Sequence, residues 1–269
     1  MRLGPVFVYN RSMNDISSKL HISTIDECAG ELARRYGVGV EIAVFCWAQA
    51  FDEERETHIK TAREFARGVS SLWFHAPFAE LSPCAIDPKV RALTRERYLE
   101  ALAAARELGI NRLVVHGGYI PRVYYPEYFV SESIRFWKDL LVSVPSDTVI
   151  ALENVMDPDP SMLVEIADGV GDERLGLCLD IGHANCDISR TPPADWIRPM
   201  AKHLKHVHLH NNHGENDLHL PLGEGVIDCE SIINEIVGLV PEATFTIENM
   251  HAVDSVNWLI KKGFIHDRL

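Results

Sequence analysis

The stretch TVIALENVMDPDPSMLVEIADGVGDERLGLCLDIGHAN, Thr148 to Asn185, holds one complete strand–helix–strand unit. Val149–Glu153 and Leu175–Asp180 are near-continuous apolar runs, the pattern of strands buried on both faces of a parallel sheet. Met162–Val170 between them has helical spacing. Both strands end in a carboxylate, Glu153 and Asp180. An acid closing an apolar run is costly to bury unless a cation or a proton accompanies it.

The same unit repeats outward in both directions. Predicted strands are Pro5–Tyr9, Val38–Phe45, Leu72–His75, Arg112–His116, Val149–Glu153, Leu175–Asp180, Lys205–His210 and Thr244–Glu248. The first predicted helix opens at STIDE, where Ser23 or Thr24 with Asp26 or Glu27 forms a capping box, and closes at Gly37. Another runs Pro88–Leu108, with Leu93, Leu99, Leu102 and Leu108 along one face. Tyr128–Leu141, Met162–Val170, Ala194–Ala201, Ser231–Leu239 and Ser255–Lys262 complete the alternation. Eight strands with their helices fill residues 1–269 without a linker or second domain. The expected fold is therefore α/β, a single-domain (β/α)8 TIM barrel. A doubly wound open sheet fits less well, because no G-x-G-x-x-G follows the first strand.

A barrel gives the strand ends a common meaning, since all eight C-terminal ends meet on one face. Six successive predicted strands end in His75, His116, Glu153, Asp180, His208 and Glu248, at intervals of 27 to 41 residues. A lone histidine there is commonly a hydrogen-bonded packing residue. Three buried carboxylates beside several histidines would repel one another without a cation, so the set points to a divalent metal site. DIGH adds His183, and the loop NDLHLPLGEG adds Asp217 and His219. Period-two spacing in HLKHVHLH puts His206, His208 and His210 on one strand face, with only one or two of them expected to touch a metal. Gly223 and Gly225 either let their loop approach a ligand closely or form a plain turn.

Composition narrows the class. A net charge of −13 argues against non-specific binding to nucleic acid or an anionic membrane. No window is apolar enough to span a membrane, and residues 1–10 lack a signal-peptide pattern, so cytoplasmic residence is expected. The six cysteines are widely spaced, as expected of reduced thiols.

The segments FHAPF, VVHGG, ALEN, CLDIGHAN, HVHLHN, DLHLPLGEG and TIEN, running from about His75 to Glu248, resemble the xylose-isomerase-like TIM-barrel superfamily. That group includes sugar and sugar-phosphate isomerases and epimerases, and endonuclease IV of AP endonuclease family 2. The isomerase and epimerase branch implies one divalent ion, often manganese, on Glu153, Asp180, His208 and Glu248. The endonuclease branch implies three zinc ions. The first would sit on His75, His116 and Glu153, the second on the same four residues with Glu153 bridging, and the third on His183, Asp217 and His219.

Two chemistries follow. An isomerase or epimerase would pass a proton between Glu153 and Glu248 through an enediolate, with His183 orienting a substrate oxygen. Trp47, Phe51, Phe78, Tyr119, Tyr124 and Trp196 are available for pocket walls. A phosphodiesterase would need cations along a phosphate backbone. The loops after the strands carry Arg11, Lys19, Arg55, Arg122 and Arg190 against fourteen acids, among them Asp15, Asp157 and the FDEERE segment. That rim favours a small carbohydrate or phosphorylated carbohydrate over nucleic acid. A barrel that binds without turnover is disfavoured by the intact ligand set.

Overall fold

A computed structural model describes residues 14–267. The first half of the chain order is β1 (Leu20–Ser23), α1 (Ala29–Tyr36), β2 (Gly39–Ile42), α2 (Gln49–Asp52), α3 (Arg55–Ala66), β3 (Leu72–His75), α4 (Pro88–Glu107), β4 (Arg112–His116) and α5 (Pro126–Leu141). The second half is β5 (Val149–Glu153), α6 (Ser161–Val170), β6 (Leu175–Asp180), α7 (Pro193–Met200), β7 (Leu204–Leu209), α8 (Cys229–Leu239), β8 (Thr244–Ile247) and α9 (Ala252–Lys262). All neighbouring strands are parallel, and Leu20 pairs with Phe245 to close the barrel.

The central units match the sequence reading residue for residue at β3, β4, β5 and β6. The first unit does not. Pro5–Tyr9 lies outside the described residues, and the strand that closes the barrel is Leu20–Ser23. The run PVFVY has the stronger β propensity. LHIS is short and carries His21 and Ser23, which point into the barrel. Ser23 thus belongs to the strand, and α1 starts at Ala29 without a side-chain cap. Asp26 instead accepts from the Cys28 amide and, with its other oxygen, from the Ala252 amide (2.7 Å each), tying the turn after β1 to the start of α9. Lys19 accordingly sits before β1, bonded to the Pro241 carbonyl, and Asp15 also precedes the barrel. Neither belongs to the mouth, and Arg11 lies outside the described residues.

Other caps follow the sequence. Asp87 accepts from the Lys89 amide at 2.8 Å, with Pro88 opening α4. Gly37 ends α1 with φ +64°, where a side chain would be strained. On α4 the buried stripe is Thr94, Tyr98, Ala101, Leu102, Ala104 and Ala105, whereas Leu93 is exposed. Leu99 and Leu108 also pack against the core, so three of the four predicted leucines face inward, and the small alanines let this long helix lie close on the sheet.

Strand alternation divides the core in two. Outward residues such as Phe74, Val115, Leu152, Leu179, Val207 and Phe245 pack beneath the helices. Inward residues fill the lumen, where Trp73, Val114, Ala151 and Cys178 form an apolar cluster. The opposite lumen wall is polar: His21, Glu41, His206 and Thr246, all fully buried. All six cysteines are free. Among the described residues, no helix is long and apolar enough to cross a membrane.

Candidate metal centre

Register brings the strand-end residues to one level. His116 lies opposite Glu153 across β4 and β5, and Asp180 opposite His208 across β6 and β7. Donor atoms of Glu153, Asp180, His208 and Glu248 all approach within 4.8 Å of one another, and all four side chains are buried. A second group, His75, His116 and Glu153, meets the same criterion. Glu153 joins the two. Its Oε1 faces Nδ1 of His208 at 3.2 Å and Nδ1 of His183 at 3.3 Å. Its Oε2 faces Nε2 of His116 at 3.4 Å and of His75 at 3.5 Å, yet makes no hydrogen bond although fully buried.

His183, Asp217 and His219 also come together. Asp217 Oδ2 lies 2.9 Å from His219 Nε2 and 3.3 Å from His183 Nε2. His210 stands beside this trio, stacked on His219 with ring centres 4.0 Å apart, and its Nε2 is 3.0 Å from Asp180 Oδ2. The donor atoms of His210, His219 and Glu248 form a further close group. Gly182 of DIGH makes room for His210, since a Cβ there would fall 1.9 Å from the imidazole. Gly223 and Gly225 serve packing: a Cβ at Gly223 would meet Trp258, and one at Gly225 the Asn212 carbonyl.

Backbone carbonyls orient three imidazoles in the same sense. Nδ1 of His75 donates to the Ala76 carbonyl (2.9 Å), that of His183 to the Asn154 carbonyl (2.9 Å), and that of His219 to the Glu248 carbonyl (2.7 Å). Each bond leaves Nε2 turned toward a carboxylate. Fixing the tautomer through the distal nitrogen is how metal-binding histidines are held. His219 reaches this pose with φ +47°, a conformation that costs a non-glycine residue on the order of 1–3 kcal/mol and clusters at functional sites. Asn154, the residue after Glu153, clamps the neighbouring strand end. Its side chain accepts from the Asp180 amide (2.8 Å) and donates to the Asp180 carbonyl (2.9 Å).

Electrostatics follow from this crowding. Burial alone would push the carboxyl groups up. The imidazoles prevail, His208 foremost, and Glu153 and Glu41 lie well below the usual carboxylate range. Asp180 is depressed likewise, chiefly by His183 and His210, and Glu248 more mildly by His208. Against the same desolvation, their carboxylate neighbours raise His208 and His183 well above an ordinary imidazole. Asp217 helps lift His219 to about 9, while burial takes His116 down to about 4. Carboxylates kept ionised by protonated imidazoles form a cluster that a divalent cation can take over, releasing those protons. The orphaned Glu153 Oε2 and the preset Nε2 atoms fit such an ion.

Two buried residues were not legible as parts of the site. Glu41 on β2 contacts His206 and His208, and its only sequence signal is a single acid inside the apolar run VGVEIAVF. Asp157 counts as a rim acid by sequence, but it is buried and burial pushes its carboxyl up to about 7. Trp196 and Phe51 are core residues rather than pocket walls. Trp196 is fully buried and donates to the Thr191 carbonyl, and Phe51 stacks on Phe45.

A cavity of about 970 Å³ opens above the cluster, with His75, His116, Glu153, His183, Asp217, His219 and Glu248 lining it. Trp47, Phe78, Leu81, Tyr119, Tyr124, Met156 and Met250 are among its apolar and aromatic walls. No lysine or arginine among the described residues lines it.

Known proteins share this arrangement of strands. A family model described as xylose isomerase-like TIM barrel matches residues 29–260. An uncharacterized protein of Methanocaldococcus jannaschii is 31% identical over 191 residues, which cover 68% of this chain but only 65% of that relative's length. A probable endonuclease 4 of Mycobacterium tuberculosis is 25% identical over 173 residues, 60% of this chain and 67% of its own. Among solved structures, a D-tagatose 3-epimerase-like protein superposes with a TM-score of 0.74 at 26% identity, over 91% of this chain and 96% of that one. From the closed barrel and the extent of the family match, the chain belongs to the xylose isomerase-like TIM-barrel family.

Proposed function

We propose that this protein is a divalent-metal-dependent epimerase or isomerase of a small, uncharged carbohydrate. The observation that carries the reading is a pair of carboxylates at the floor of a cavity lined by no lysine or arginine. Glu153 Oε1 and Glu248 Oε2 lie 3.2 and 3.1 Å from the same nitrogen, His208 Nδ1, and both residues line the cavity. Glu153, Asp180, His208 and Glu248 would hold a divalent ion, which would supply Lewis-acid polarisation of adjacent substrate oxygens. The protein's own groups do the proton work. One glutamate removes the proton from the carbon beside the carbonyl, and the other returns one from the opposite side. His183, with Nδ1 committed to the Asn154 carbonyl and Nε2 beside Asp217, lines the cavity and would orient a substrate hydroxyl. The absence of arginine and lysine from the walls counts against a phosphate group on the substrate.

A second reading, endonuclease-IV-like phosphoester hydrolysis with three zinc ions, rests on a specific observation. Glu153 divides its two oxygens between two donor groups, and His183, Asp217 and His219 converge beside them. The absence of lysine and arginine from the cavity lining weighs against a polyanionic substrate.

The test is solvent exchange. The protein, loaded in turn with manganese, cobalt and zinc, is incubated with ketopentoses and ketohexoses in deuterium oxide and followed by proton NMR. Deuterium at the carbon beside the carbonyl, with a new epimer or aldose, is the expected result. No exchange with any sugar, alongside zinc-dependent cleavage of abasic-site DNA, would replace this reading with the hydrolytic one.

A further inference from the structure

Beneath the candidate centre, a fully buried carboxylate faces the wrong side of a histidine for binding the same ion. His208 turns Nδ1 toward Glu248 Oε2 (3.1 Å), Glu153 Oε1 (3.2 Å) and Asp180 Oδ2 (3.7 Å). Its other nitrogen, Nε2, lies 3.2 Å from Glu41 Oε1. The pair misses hydrogen-bond geometry, and neither atom has another hydrogen-bond partner although both are buried. Two orphaned polar atoms at that distance need only a small ring rotation to join.

Glu41 itself is anchored. Its Oε2 accepts the Thr246 hydroxyl at 2.7 Å and His206 Nε2 at 3.0 Å. His206 is fixed in turn by Thr244 Oγ1 on Nδ1 (2.7 Å) and by stacking on Trp73 at 4.2 Å between ring centres. The carboxylate thus has one oxygen bound into a rigid scaffold and the other free for His208.

Taking the metal reading above as its basis, we infer that Glu41 is a positioning residue that accepts the His208 Nε2 proton and commits Nδ1 to the metal. A carboxylate behind a metal-bound imidazole fixes its tautomer and strengthens it as a donor, and losing such a partner typically costs about 10- to 100-fold in metal affinity. Residues Glu41, His206 and His208 also approach closely enough to hold an ion themselves. The orientation of His208 Nδ1 toward three carboxylates places the ion on its other side.

The experiment measures manganese and zinc affinity by chelator competition in wild-type, Glu41→Gln and Thr246→Val proteins, with metal stoichiometry and histidine-ring nitrogen NMR on each. Expected are equal stoichiometry, a loss of about 10- to 100-fold for Glu41→Gln and a smaller loss for Thr246→Val. In the loaded wild type the His208 Nε2 signal should be protonated. A Glu41→Gln affinity within twofold of wild type, an unprotonated Nε2, or the loss of one whole ion per chain would overturn the positioning role and leave the proposed activity standing. A wild type that binds no divalent ion would remove both. Should Glu41→Gln fold poorly, Thr246→Val still decides, because unchanged affinity there would contradict the anchoring of Glu41.

Discussion

The two halves of the barrel lumen solve the same problem in different ways. Beneath His75, His116 and Glu153, strands β3 to β6 fill the lumen with the apolar cluster of Trp73, Val114, Ala151 and Cys178. Beneath His208 and Glu248, strands β7, β8 and β2 contribute His206, Thr246 and Glu41, linked by hydrogen bonds, and β1 adds His21, bonded to the Phe245 carbonyl and the Ser71 hydroxyl. Glu153 Oε2 therefore sits over an apolar floor with no partner, while His208 is backed by a carboxylate. One half leaves a buried carboxylate oxygen without a hydrogen bond, open to an incoming cation. The other holds a donor group in a fixed orientation. A buried network of this kind is worth having only when its members are satisfied.

Removing either side of the proposed proton-transferring pair should have the largest effect. Glu153→Gln and Glu248→Gln are each expected to lower the exchange rate in deuterium oxide by about two to four powers of ten. They should differ in metal content. Glu153 faces both donor groups, so its variant should lose ions from each half, whereas Glu248→Gln should spare any ion on His75 and His116. Mass spectrometry of metals on both variants checks this, and identical losses would mean that the halves are not separable.

Metal removal and pH come next. An ion present at 100 times its dissociation constant adds about 2.7 kcal/mol to stability, so chelation should lower Tm measurably. In the metal-free protein His219 carries a pKa raised to about 9, from 6.5 in the unfolded chain. A raised folded-state value means that its contribution is full below pH 6.5 and disappears as pH climbs to about 9. Metal-free Tm should therefore fall across that window, and His219→Gln should flatten the fall. With saturating zinc the trend should weaken, because the ion competes with the same protons. A metal-free Tm that rises between pH 6.5 and 9 would contradict the assignment.

Much of this was readable from the chain, for a physical reason. β5 and β6 are apolar on both faces and end abruptly in Glu153 and Asp180, so pattern and chemistry coincide. β1 was misread because the short polar strand LHIS lacks that pattern, while the apolar run at Pro5–Tyr9 has it. Glu41 escaped for the related reason that a lumen side chain shows only as one inward position in a four-residue strand. Its partners His206 and Thr246 are 165 and 205 residues away, beyond any local spacing rule. Inward-facing polarity is a property of the closed barrel, and no single strand displays it.

The smallest effects should separate the two halves most cleanly. Valine and threonine are nearly the same size, so exchanging them tests polarity at constant volume. Val114→Thr would put a hydroxyl into the apolar cluster of Trp73, Ala151 and Cys178 and should cost about 1–3 kcal/mol of stability with metal affinity unchanged. Thr246→Val removes a hydroxyl that anchors Glu41 and should leave Tm within a few degrees while weakening the metal. Denaturant melts and chelator competition on the two variants give a two-by-two comparison. If Val114→Thr weakened metal binding as much as Thr246→Val, the apolar half would also be orienting the site, and the division of labour between packing and hydrogen bonding would fall.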